Sequence, residues 1–160
     1  MVLSVDDRSF EIYLNYWEVG RKVHRKLSSI CDKLKIAMSL EVSLDSRTVF
    51  VSGSDSSDFS QSRPVLSAVS FDEHMTEKTS IRLSDSSMGN VYKVRRMEGF
   101  DTVFASGEKL ISIVNFDAEK GKFKELKQLR NIHSGSIYSF MIQGKDIFSV
   151  SSSDNYIHKF

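Results

Sequence analysis

An aromatic residue closes an apolar stretch four times along the chain. The spacing of these closures constrains the fold more than any other feature. The four residues are Trp17, Phe71, Phe116 and Phe160, separated by 54, 45 and 44 residues. The stretches they close run from Phe10 to Trp17, Leu66 to Phe71, Leu110 to Phe116 and Tyr156 to Phe160. An acidic residue follows the first three, as Glu18, Asp72 and Asp117. The long first interval has a visible cause in the polar insertion Ser54 to Arg63. Without those ten residues the interval falls into line with the others.

Each of the last three closures is preceded by a second short strand. Thr48-Val-Phe-Val-Ser, Thr102-Val-Phe-Ala-Ser and Asp146-Ile-Phe-Ser-Val are β-branched and aromatic and run into Gly/Ser turns, the pattern of buried strands. Val91 and Ile137 open a further pair of strands 46 residues apart, after Gly89-Asn90 and Gly135-Ser136. Two segments fit either period. Phe123, Leu126 and Leu129 are spaced as on a short helix, and so are Leu34, Ala37 and Met38 in Asp32 to Ser43. The repeat asks for a strand at both places, so both are expected as strands. Repeat boundaries fall near residues 30, 86 and 132.

These residues resemble the WD-repeat β-propeller family. His133-Ser-Gly-Ser-Ile looks like the histidine-containing turn into the innermost strand. Asp154 looks like the aspartate of the tight turn before the third strand, and Phe160 stands six residues later, where the family usually has tryptophan. Ser52-Gly-Ser-Asp55 and Ser106-Gly107 resemble the close of the second strand. A repeat of about 40–45 residues is also the blade spacing of such folds. The resemblance implies an all-β chain of four-stranded antiparallel blades. The chain would begin in the third strand of one blade and end in the third strand of another, with two complete blades between. That is fewer than the roughly four to eight blades of a closed ring. The remaining blades are therefore expected from a longer chain or from another chain.

The resemblance further implies a buried hydrogen-bond chain of histidine, serine or threonine, aspartate and tryptophan. Only the last repeat holds both His133 and Asp154, and Val150 stands at its expected serine position. Phenylalanine in place of tryptophan donates no hydrogen bond. Most blades are thus expected to rest on apolar packing.

Composition narrows the function classes. Forty per cent of the 160 residues are hydrophobic, enough for a packed core, and the net charge is only +1. No overall field favours nucleic acid, and no partner of that kind is expected. No apolar run approaches the roughly 18 residues of a spanning helix, no secretory leader is visible at the N-terminus, and membrane association is not expected. The single cysteine, Cys31, excludes an internal disulfide framework and suits a cytoplasmic setting.

No catalytic constellation, cofactor motif or metal set is legible. The four histidines, His24, His74, His133 and His158, show no ligand spacing with one another or with Cys31. Ser52-Gly-Ser and Met88-Gly-Asn lack the glycines and lysine of a nucleotide cradle. The acidic groups Asp6-Asp7 and Asp55 to Asp58 lack the pattern of a calcium loop. His133 therefore reads as a turn-fixing residue. The expectation is a non-catalytic scaffold or adaptor, with protein partners touching turns that carry Arg63, His133 and Lys145. The alternative is a phosphoinositide- or anion-binding propeller using Arg21, Lys22, Arg25 and Lys26, although a charged outer strand explains the same residues. Arg95-Arg96 lacks the flanks of a phosphoinositide motif. The serines of Ser54 to Arg63 beside acidic groups are chemically open to phosphorylation.

Overall fold

The computed structural model describes residues 2–5, 12–18, 20–26, 34–45, 47–56, 63–73, 76–83 and 89–160. Cys31, His74, Asp6, Asp7, Asp58, Met88 and the centre of the Ser54–Arg63 insertion lie outside them.

The described chain is all β, and its sheets are antiparallel throughout. The first sheet has three strands, β1 (Val2–Val5), β2 (Ile12–Glu18) and β3 (Arg21–Lys26). The second is the meander β4 (Ile36–Val42), β5 (Thr48–Ser54), β6 (Pro64–Phe71) and β7 (Glu77–Leu83). The third repeats it as β8 (Lys93–Arg96), β9 (Thr102–Ser106), β10 (Leu110–Asp117) and β11 (Lys122–Arg130). The fourth holds β12 (Ser139–Gln143), β13 (Asp146–Val150) and β14 (His158–Lys159). Of the expected boundaries, those near 30 and 86 lie outside the described residues. Both ambiguous segments are strands, as β4 and β11. One expectation needs correction. β1 pairs with β2 from Val2↔Asn15 to Val5↔Ile12, so the chain enters its first sheet one strand earlier than the aromatic spacing suggests. Four residues with two valines are too short a run to stand out by periodicity.

Register sets the core. Side chains alternate faces along a strand, so neighbouring residues of one strand belong to different layers. Val49 and Val51 pack with Leu34, Val65, Val69 and Phe71 on one face of the second sheet. Phe50, between them, faces the third sheet and packs against Val94, Val103, Ala105 and Phe116. Its ring meets that of Phe116 edge-on, with centroids 5.6 Å apart. Phe104 turns the other way and joins Ile111, Ile137, Phe140 and Ile147 between the third and fourth sheets. Each inner sheet is therefore apolar on both faces, and burying one such phenylalanine contributes about 1.5–3 kcal/mol.

Polar contacts fix how successive sheets meet. Arg96 on β8 donates from Nε to the Val42 carbonyl on β4 at 3.0 Å, and its Nη1 reaches the carbonyls of Met97 and Phe100. Arg95 pairs with Glu41 at 3.6 Å. The double arginine is thus a seam between the second and third sheets. Between the third and fourth, the Ile137 N–H donates to the Gly107 carbonyl at 3.0 Å and the rings of Tyr92 and Tyr138 meet edge-on.

Gly53 lies where β4 bulges between Ala37 and Ser39. A Cβ there would fall 1.8 Å from the Ile36 carbonyl oxygen, and backbone cannot yield as a flexible side chain does. Gly53→Ala is expected to cost about 1–3 kcal/mol, as overpacking does, read as a lowered urea midpoint at unchanged slope. Ser106 is fully buried, and its hydroxyl has no hydrogen-bond partner among the described residues. Ser106→Ala is expected to leave stability unchanged or raise it by up to about 1 kcal/mol, because it removes an unpaired polar group. A clear loss in the same unfolding experiment would show that the hydroxyl is satisfied.

Candidate functional site

The polar centre of the chain lies where the turn before β12 meets the turn after β13. His133 is 5 % exposed. Its Nδ1 lies 2.6 Å from Asp154 Oδ2, and its Nε2 lies 2.8 Å from Ser149 Oγ. Asp154 also accepts from the backbone N–H of Ser134 at 3.0 Å and from the Ser134 hydroxyl. Those two Ser134 bonds, with a smaller contribution from His133, hold the Asp154 carboxyl below the usual carboxylate range against the opposing effect of burial. Both ring nitrogens of His133 are thus engaged, one by β13 and one by the turn after it, which locks the path into β12 against the end of β13. Gly135 permits this approach, since a Cβ at that position would collide with the Ser153 hydroxyl.

Ser149, rather than Val150, supplies the serine of this network. The error was one residue, and strand alternation explains it. By register Val51, Ala105 and Ser149 are equivalent, opposite Leu40, Val94 and Phe140 respectively. All three are buried. Ser52, Ser106 and Val150 form the next row and face the other way. Counting serines at the fifth place of each strand therefore selected the wrong face, whereas period-two alternation from the buried Ile147 leads to Ser149. The inner sheets carry Val51 and Ala105 there, which pack without bonding, as expected of repeats resting on apolar contacts.

A serine, a histidine and an aspartate bonded in this order share the connectivity of a hydrolase triad. Access separates the two cases. Ser149 is 1 % exposed and lies within a paired strand, so a substrate carbonyl cannot reach its hydroxyl. The arrangement acts as a clamp.

His158 also belongs here. Its ring meets that of His133 edge-on at 4.4 Å and stacks on Phe160 at 6.0 Å. One ligand atom each from His133, Asp154 and His158 falls within a 4.8 Å cluster. The two histidines are 25 residues apart in the chain, and only the return of β14 beside β13 brings them together. Spacing along the sequence carried no sign of it.

Of the three turn residues expected to touch partners, Arg63 and Lys145 are exposed. His133 is buried. Lys145 is exposed in the Gln143–Asp146 turn, at the opposite end of β12 and β13 from Ser149 and the His133 clamp. Arg63 is exposed before β6, its N–H bonded to Asp55 at 2.7 Å. Arg21, Lys22, Arg25 and Lys26 are exposed along β3, which pairs only with β2 among the described strands. On the same strand, His24 stacks on Tyr13 at 4.3 Å and bonds Asn15. This is the charged outer strand that edge protection requires.

The surface that stands out was not singled out by the sequence. Phe148 and Val150 are the register equivalents of Phe104 and Ser106, which face the fourth sheet. On the fourth sheet the same face is open. Val150 is 40 % exposed, Met141 56 % and Ile157 71 %. With Phe140 and Ser139 they line an apolar groove. Lys159 covers part of it, with its ammonium 5.7 Å from the Phe148 ring centre.

No protein-family model and no curated protein sequence matches the chain.

Removing the Ser149 hydroxyl strands a buried imidazole nitrogen. Ser149→Ala is expected to destabilise the protein by about 1–3 kcal/mol. Equilibrium unfolding measures this, and a neutral result would remove Ser149 from the clamp.

Proposed function

We propose that the chain is a non-catalytic, cytoplasmic scaffold of the WD-repeat β-propeller kind, whose open fourth sheet docks a further antiparallel sheet from a longer chain or from another chain. The open apolar face of Met141, Phe148, Val150 and Ile157 carries this reading. The equivalent row on the second sheet is covered by the third, and that on the third by the fourth. The occupant that fits the row is another sheet with an apolar leading strand, like Val91 to Val94 or Ile137 to Phe140. Full burial of a phenylalanine contributes roughly 1.5–3 kcal/mol, and Phe148 has only part of it. A patch of this kind on a soluble surface marks an interaction site. The buried Ser149 hydroxyl supports the non-catalytic part, and the four-strand repeat with its His133–Asp154 turn supports the propeller part.

Solution behaviour tests the reading. The chain is expected to associate with rising concentration in light scattering and to bind a hydrophobic dye. Met141→Lys with Ile157→Lys should abolish both without lowering the melting temperature, since both side chains are exposed. A folded monomer at all concentrations that binds no dye would overturn it.

A further inference from the structure

We propose that His133, Asp154 and His158 form a binding site for a first-row divalent cation, with Zn²⁺ the best match. Two imidazoles and one carboxylate are a donor set of borderline softness that suits zinc better than calcium or magnesium. Their ligand atoms already cluster within 4.8 Å. A tetrahedral zinc ion with bonds of about 2.0–2.2 Å holds its ligand atoms roughly 3.3 Å apart. The cluster therefore has to close on its widest side and open by less than an ångström between His133 and Asp154, now 2.6 Å apart. His158 sits on the two-residue strand β14 and Asp154 on a turn. The two groups that must move are thus on short connections, while buried His133 stays in place.

Ser149 makes the exchange possible. As the clamp stands, a proton lies between His133 Nδ1 and the Asp154 carboxylate. An arriving cation takes that proton's place on Nδ1. A neutral imidazole keeps one proton, which moves to Nε2 and is donated to Ser149 Oγ at the existing 2.8 Å contact. A hydroxyl both donates and accepts, so Ser149 serves the ring in either tautomer. A ligating histidine whose other nitrogen is bonded to a fixed partner is the usual arrangement at metal sites. Asp154 keeps its two bonds from Ser134, which orient the carboxylate. No side-chain hydrogen bond to the His158 ring is found among the described residues, and one of its ring nitrogens belongs to the cluster.

The test uses the full chain without a polyhistidine tag. Titration with Zn²⁺ by calorimetry is expected to give one site per chain, together with a rise in melting temperature. Co²⁺ is expected to give the visible absorption of a four-coordinate ion. His158→Ala should weaken binding at least tenfold and remove the thermal shift, while leaving the metal-free melting temperature unchanged. Ser149→Ala should weaken it about 10–100-fold, the usual effect of losing a partner that orients a ligand. His24→Ala should bind as the unaltered chain does. Absence of binding at about 100 µM Zn²⁺, or binding that survives His158→Ala, would overturn the proposal. Since His158→Ala removes a half-buried ring, its folding is checked by the metal-free melt in the same experiment.

Discussion

Each inner sheet is apolar on both faces, and that constraint governs the rest of the chain. A sheet with one wet face can stand at a surface, but the second and third sheets here cannot. Strand alternation sends Val49 and Val51 one way and Phe50 the other, so the second sheet needs a neighbour on each side. The stack, the arginine seam and the open groove follow from that requirement. The seam also shows why the interface needs polar help. Apolar packing is not directional, whereas Arg96 reaching the Val42 carbonyl fixes how far β8 slides along β4.

The clamp and the packing are alternative answers to one local problem. At the position shared by Val51, Ala105 and Ser149, the inner sheets fill space and the fourth sheet ties two turns together. An apolar side chain there asks nothing of its surroundings. A serine there demands a histidine, the histidine demands an aspartate, and the aspartate is held by Ser134. The network is therefore all or nothing, which explains why only one copy is complete. At the third-strand closure, Phe71 and Phe116 are buried, while Phe160, paired with Ile147, is 39 % exposed and stacked on His158.

Much of the fold was legible because it is written in periods. Aromatic spacing marks the repeat, and β-branched runs such as Thr48 to Ser52 mark its second strands. Ambiguous runs at Ile36–Val42 and Lys122–Arg130 become strands because their neighbours offer unpaired backbone. Less legible was everything that depends on facing. Ser149 and Val150 are adjacent in the chain and belong to opposite surfaces, and His133 meets His158 only after β14 folds back. Arg63 and Lys145 look alike as turn cations, yet Lys145 lies at the far end of its strands from the clamp. Direction across a sheet is a property of pairing, and pairing partners lie tens of residues away.

The arrangement of sheets also bears on how the protein comes apart. Among the described strands, the main contacts between sheets join β4 and β5 to β8, and β8 to β12, which are neighbours in the stack. Loss of order then moves as a front rather than arising everywhere at once, as in a zipper opened from its end. The fourth sheet, with one face open and a last strand of two residues, is the natural starting point, and the His133 clamp is the latch that such a front meets first.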